Sequence, residues 1–245
     1  RVETVLEIAK KLNIRVGILS DLQGPKIRIA QFKEGQVQLI RGEPFILDSR
    51  LDEDGGTQER VGIVYKELVN DVKPQDILLL DDGLIILEVT KVTGSEVHTK
   101  VVVGGKLSDR KGVNLKGGGL SARALTDKDR EDLACAVDYN TDFVAISFPK
   151  NAEDIFEARE LLKKFNSNAH IIAKIERAEA LDNIDEIIKA SDGIMIARGD
   201  LAVEIGNAQL VGVQKKFIRR ARQLKKTVIT ATQMMESMTD NPTPT

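Results

Sequence analysis

The chain has 245 residues, with 36 Lys and Arg against 38 Asp and Glu and a formal charge of −2. A pI near 5.9 carries no basic excess of the kind that nucleic acid or an anionic membrane surface selects. No stretch approaches the ~20 uninterrupted apolar residues of a membrane span. The one cysteine, Cys135, rules out a disulfide framework and points to a reducing compartment.

The chain opens Arg1-Val2-Glu3-Thr4, without initiator Met or signal peptide, and closes abruptly at Pro242-Thr243-Pro244-Thr245. Both ends read as internal to a longer protein. A helical pattern over Val2–Leu12 leads into an apolar strand, Val16–Leu19, which ends at Ser20-Asp21. The texture then changes. Residues 25–119 are rich in Val, Ile, Thr and Gly. Within them, Ile77–Leu80 and Leu84–Leu87 flank Asp81-Asp82-Gly83, a hairpin signal. Val97, Thr99, Val101 and Val103 alternate with polar residues and form one face of a further strand. This segment reads as a small all-β domain.

From residue 126 the chain alternates strand and helix. Thr126-Asp127-Lys128-Asp129 is a capping-box pattern ahead of a helix bearing Leu133 and Val137, on which Cys135 reads as a small buried residue. Strand Phe143–Ile146 follows, then a helix capped by Asn151 with Ile155, Ala158, Leu162 and Phe165 at helical spacing. Next come strand Ile171–Ala173, helix Ala180–Lys189 and strand Gly193–Ile196. A helix with Val213, Phe217, Ala221 and Leu224 on one side precedes the strand Val228–Ala231. Apolar rather than alternating strands, one per βα unit, predict a parallel sheet covered on both faces. The fold class is therefore α/β, with residues 1–24 and 120–245 forming a barrel domain and 25–119 an insertion in a βα loop. Such loops lie at the functional face of a barrel.

Polar residues close the strands at Asp21, Ser147, Glu176, Asp200 and Thr232. Lys174 and Glu176 alternate with Ile175 and point to the same side. Asp200 closes the neighbouring strand, with Gly199 permitting the backbone to turn off it. Adjacent strands lie ~4.8 Å apart, so Glu176 and Asp200 can share one hard cation beside the Lys174 ammonium. A structural Lys–Glu pair with an unrelated loop aspartate fits the same spacing. An adhesion reading of Arg198-Gly199-Asp200 fits poorly, because the tripeptide is tethered between apolar runs. Gly117-Gly118-Gly119 reads as a hinge, and the basic stretch from Lys215 to Lys226 as a solvated helix face.

Seven motifs in order carry a resemblance to pyruvate kinase. They are Asp21-Leu22-Gln23-Gly24-Pro25-Lys26-Ile27-Arg28, Leu80-Asp81-Asp82-Gly83, Lys111-Gly112-Val113-Asn114-Leu115, Ile146-Ser147-Phe148, Ala173-Lys174-Ile175-Glu176, Ala197-Arg198-Gly199-Asp200-Leu201 and Ala231-Thr232-Gln233-Met234-Met235-Glu236-Ser237-Met238. Leu22-Gln23 and Lys116–Ser121 look like the bacterial branch. The resemblance implies a (β/α)8 barrel with an inserted β lid, of which this chain lacks the first strands, the last strand and the C-terminal domain. It implies transfer of phosphate from phosphoenolpyruvate to ADP, giving pyruvate and ATP in glycolysis.

By the same resemblance, Glu176 and Asp200 would hold Mg²⁺, for which Mn²⁺ substitutes, and Lys174 would neutralise the phosphoryl group in flight. Thr232 would lie near the carbon that is protonated. Ser147, Phe148 and Gly199 would line the substrate pocket with Asp200 and Thr232, and Asp82 and Lys111 would approach the nucleotide. Asp21 belongs to a monovalent-cation site in K⁺-requiring members. Here Leu22 and Lys26 stand where those carry Thr and Glu, so the Lys26 ammonium would replace K⁺. Ala202 replaces a commoner Gly. The family is typically a cytoplasmic homotetramer, with neither nucleic acid nor membrane as partner. Two other readings remain open: a related Mg²⁺-dependent aldolase or lyase acting through an enolate, and a non-catalytic segment serving assembly within a larger chain.

Overall fold

A computed structural model describes residues 1–232 and 234–239. Gln233 and the closing Pro242–Thr245 therefore lie outside the described residues. In chain order the elements are α1 (Val2–Lys11), β1 (Leu19–Asp21), β2 (Gln36–Leu39), β3 (Pro44–Asp48), β4 (Arg60–Gly62) and α2 (Leu68–Asp71). Then follow β5 (Ile77–Leu80), β6 (Ile85–Thr93), β7 (Glu96–Val103), β8 (Gly105–Ser108), β9 (Val113–Leu115) and α3 (Asp127–Asp138). The rest are β10 (Phe143–Ile146), α4 (Ala152–Lys164), β11 (His170–Ile175), α5 (Glu179–Asp182), α6 (Ile184–Ala190), β12 (Gly193–Ala197), α7 (Arg198–Ile205), α8 (Asn207–Gln223), β13 (Thr227–Ala231) and a 3₁₀ turn, Glu236–Thr239.

The chain divides into two compact units. One holds Arg1–Pro25, Arg123–Arg198 and Val211–Thr245; the other holds Lys26–Ala122 and Gly199–Leu210. In the first, five strands pair in parallel in the order β1-β10-β11-β12-β13. This is a partial (β/α)8 barrel. Val144, Ala145, Ile146, Ile171, Ile172, Ala173, Ile194 and Ile196 are all buried, as expected for strands covered on both faces. The helices bury one stripe each: Leu133 and Ala136 on α3, Ile155, Ala158 and Leu162 on α4, Phe217 and Ala221 on α8. Thr126 caps α3 in a reciprocal capping box with Asp129, and Asn151 caps α4 through the Asp154 N–H.

Several sequence expectations shift. The first strand begins at Leu19 rather than Val16, because a side chain takes the N–H of Ile18, although the Ile18 carbonyl still accepts the Phe143 N–H (3.0 Å). The Ile18 N–H donates to Asp142 (2.7 Å), and the carbonyl also accepts from the Thr141 hydroxyl (3.0 Å). The helix expected over 180–189 is two helices broken at Asn183, whose amide turns away to donate to the Lys150 carbonyl (2.9 Å). Cys135 is exposed, since Leu133 and Ala136 already define the inward stripe of α3. Phe165 is exposed, because it is the C-cap residue beyond the last turn of α4. Asp200 does not sit on a strand. A helix starts at Arg198, directly after β12, and Asp200 occupies its first turn, where a carboxylate complements the helix dipole. On the basic face of α8, Arg220 forms a two-pronged pair with Asp185 (2.7 and 2.5 Å).

The second unit is all-β apart from α2 and the segment that includes most of α7. A six-stranded sheet runs β4-β3-β7-β6-β5-β9, and β2 pairs with β8. Phe45, Leu47, Leu78, Leu80, Ile85, Leu87, Val97, Val101 and Leu107 form its core. The expected hairpin is present: β5 and β6 pair with Leu80 opposite Ile85, and Asp81, Asp82 and Gly83 all adopt positive φ. Beyond Gly117-Gly118-Gly119, a latch closes the segment. Asp71 accepts from the Tyr65 hydroxyl (2.7 Å), the Ser121 N–H (2.9 Å) and the Ser121 hydroxyl (3.2 Å).

Burial pushes the Tyr65 phenol up, the hydroxyl of Ser121 partly offsets this, and the Asp71 carboxylate adds to it; the result is a pKa of about 12. The neutral phenol therefore stabilises the fold in full below its ordinary value of 10.0, and that contribution is lost as pH rises through about 12. The chain has two tyrosines, Tyr65 and Tyr139. In a Tyr139→Phe variant, the phenolate absorbance near 295 nm is expected to rise with a midpoint about two units above the ordinary value. A midpoint at the ordinary phenol value would contradict the latch.

Candidate active site

In the barrel unit, Ile146 pairs with Ala173, so Ser147 and Lys174 follow side by side at the C-terminal ends of β10 and β11. Lys174 is the centre of a cluster. Its ammonium lies 3.0 Å from Asp21 Oδ1, 3.2 Å from Glu176 Oε1 and 2.9 Å from Ser147 Oγ. Ser147 donates its own proton to the Leu22 carbonyl (2.7 Å), leaving its oxygen lone pairs toward the lysine. Burial works against the charged amine. The charges of Glu176 and Asp21, with the hydrogen bonds both accept, outweigh it and hold the Lys174 pKa above the ordinary lysine value. The ammonium is thus fully charged throughout the neutral range, and the stability it confers is lost only as pH rises through that elevated value.

Glu176 is almost wholly buried, and its second oxygen accepts the Phe148 N–H at 2.9 Å. Phe148 holds a left-handed backbone, φ 56°, which is costly for a bulky residue and is characteristic of sites where geometry is fixed for function. Gly24 must be glycine for two reasons. Its φ is 67°, and a Cβ there would stand 2.8 Å from the Ser147 Cβ. The Gly24 N–H is held by the buried Asp129 carboxylate (3.0 Å), which ties the turn after β1 to the start of α3.

The other candidate residues lie elsewhere in the chain. Thr232 follows β13, exposed, with φ 66°. In the second unit, Asp200 pairs with Lys26 (2.9 Å), and Gly199 shares the first turn of α7. Asp82 is exposed at the hairpin tip, while Lys111 pairs with Asp81 rather than Asp82 (2.7 Å). Sequence reasoning missed Arg177, which is buried with its guanidinium 5.8 Å from the Phe148 ring centroid. It also missed the second role of Asp129. The only signal for Arg177 was its place directly after Glu176.

The donor chemistry suits Mg²⁺. That ion takes hard oxygen ligands, and characteristically one or two protein carboxylates with water and substrate oxygens filling the remainder. Glu176 offers a buried carboxylate already fixed by an N–H and an ammonium. Among the described residues no group of three or more His, Cys, Asp or Glu side chains forms a metal cage.

A family model described as the pyruvate kinase barrel domain matches residues 1–245. Pyruvate kinases from Buchnera aphidicola of Acyrthosiphon pisum and from Haemophilus influenzae are 58% and 57% identical over 248 aligned residues, covering all of this chain and 52% of each relative. The crystal structure of a pyruvate kinase from Cryptosporidium parvum superposes with a TM-score of 0.90 at 33% identity, covering all of this chain and 51% of that one. The chain thus spans about half the length of the curated relatives it matches.

Proposed function

The chain belongs to the pyruvate kinase family, a family of glycolytic phosphotransferases, and from that premise we propose that it carries the reacting centre for transfer of a phosphoryl group from phosphoenolpyruvate to ADP. The observation that supports this most is the Lys174 ammonium, half-buried, held by Asp21, Ser147 and Glu176, and kept in its charged form. A fixed, partly desolvated cation is what a loose phosphoryl-transfer transition state needs, because charge spreads over the equatorial oxygens.

In this reading the bond between phosphorus and the enol oxygen breaks, and a β-phosphate oxygen of ADP takes the phosphorus. Lys174 neutralises the phosphoryl oxygens in transit and the enolate left behind. Protonation of that enolate at carbon gives pyruvate, beside Thr232. Glu176 and Asp200 would hold Mg²⁺ or Mn²⁺, which supplies Lewis-acid polarisation of phosphoryl and enolate oxygens when bound. The Phe148 N–H keeps Glu176 in one orientation. Ser147, Phe148 and Gly199 face the substrate, and Asp82 and Lys111 the nucleotide. Lys26, paired with Asp200, takes the place of K⁺. The protein would act in the cytoplasm as part of a homotetramer. No described helix is long and apolar enough to cross a membrane.

The test is a chimera in which this chain replaces the matching half of the Haemophilus influenzae relative. ADP-dependent release of pyruvate from phosphoenolpyruvate, with one ATP per pyruvate, is expected. A chimera that folds and binds phosphoenolpyruvate but releases no pyruvate would contradict the proposal.

A further inference from the structure

We infer that Arg177 is a positioning residue that clamps Phe148 and so fixes the orientation of Glu176. Two consecutive residues after β11 grip opposite ends of one residue after β10. The Glu176 carboxylate takes the main-chain N–H of Phe148, and the Arg177 guanidinium covers its ring. Both gripping side chains are almost fully buried, Glu176 at 2% and Arg177 at 4% of full exposure, and Phe148 itself is at 6%. A cation over an aromatic face is strongest in such desolvated surroundings.

The grip has a definite task. Phe148 is held at φ 56°, a conformation a bulky residue leaves unless its surroundings over-determine it. Pro149 follows directly and narrows the backbone choices of Phe148 further. If the ring swings away, φ relaxes, and the N–H no longer points at Glu176. The carboxylate then loses the Phe148 N–H that orients its second oxygen, while the contact with Lys174 stays. Arg177 thus acts on the site through Phe148. The consequence for metal binding rests on the reading of Glu176 given above, whereas the clamp itself does not.

Amide hydrogen exchange at Phe148, read by NMR, tests the clamp without activity or metal. In Arg177→Leu, exchange at Phe148 is expected to accelerate on the order of ten-fold, the loss of one desolvated cation–π contact, while Val144 and Ala145 within β10 are unchanged. Arg177→Lys, which keeps a cation, should restore most of the protection. The Mn²⁺ dissociation constant should weaken in Arg177→Leu and recover in Arg177→Lys in parallel. Unchanged exchange at Phe148 would overturn the clamp. Faster exchange with unchanged Mn²⁺ affinity would overturn its link to Glu176. Wild type that binds no Mn²⁺ would overturn that link and the metal reading of Glu176 together, and exchange at Phe148 would still decide the clamp. Should Arg177→Leu fail to fold, Phe148→Leu removes the aromatic face instead and is expected to give the same local acceleration at position 148.

Discussion

Lys174→Met is expected to lower turnover by about a thousand-fold, the scale seen when one preorganised transition-state donor is removed. On the proposed reading the loss falls on kcat, because the ammonium would meet charge that develops only as the phosphoryl group leaves. Folding should survive, since methionine keeps the apolar stem and Glu176 retains the Phe148 N–H as a partner. A stability loss of a few kcal/mol is still expected, because the nearly buried Glu176 carboxylate loses the Lys174 ammonium. Raising the pH does not mimic the substitution within the neutral range. The pKa of Lys174 is elevated, so the charge persists until strongly alkaline conditions. Steady-state kinetics with a urea melt of the same variant checks both halves. A kcat within a few-fold of wild type would remove Lys174 from the chemistry.

The largest stability effect is expected for a residue that touches no substrate. Asp129 is fully buried, and its two oxygens accept from the Gly24 N–H (3.0 Å), the Thr126 N–H (2.9 Å) and the Thr126 hydroxyl (2.6 Å). Asp129→Ala strips all three donors of their acceptor at once, opens the capping box of α3 and releases the turn that precedes Gly24. Buried donors left unsatisfied cost about 1–3 kcal/mol each and are not additive, so the total should be about 3–5 kcal/mol. Thr126→Ala removes only the cap and should cost about 1 kcal/mol. Equilibrium urea unfolding at constant m measures both. A cost for Asp129→Ala no greater than that of Thr126→Ala would mean that the tie to Gly24 carries nothing.

These two residues mark where the sequence could be read and where it could not. The short apolar strands, the caps Thr126 and Asn151 and the Asp81-Asp82-Gly83 hairpin are local patterns, and each appears as expected. Lys174 and Glu176 share a side by simple alternation, and they meet at 3.2 Å. What failed depends on contacts distant in sequence. The start of β1 is set by the Asp142 carboxylate, 124 positions from Ile18, and the break at Asn183 by the Lys150 carbonyl. Asp129 read as a cap alone, because Gly24 lies 105 positions earlier. The Arg198-Gly199-Asp200 run looked like the end of a strand since its flanks are apolar. It opens a helix instead, and Asp200 pairs with Lys26, 174 positions away. Arg177 was adjacent to a candidate all along. Its partner Phe148 closes a different strand and stands in a left-handed backbone that no local pattern marks.

The most direct measurement is Mn²⁺ binding in the presence of phosphoenolpyruvate, followed by water-proton relaxation, for wild type and Glu176→Gln. Glutamine preserves the size of the side chain and can still accept the Phe148 N–H, while it removes the negative charge and one of the two acceptor oxygens. Wild type is expected to bind Mn²⁺, and Glu176→Gln, still folded, to lose at least about ten-fold in affinity, in line with the removal of an anionic oxygen ligand from a hard cation. Equal affinity in the two proteins would return Glu176 to a structural partner of Lys174 and contradict the proposed metal site.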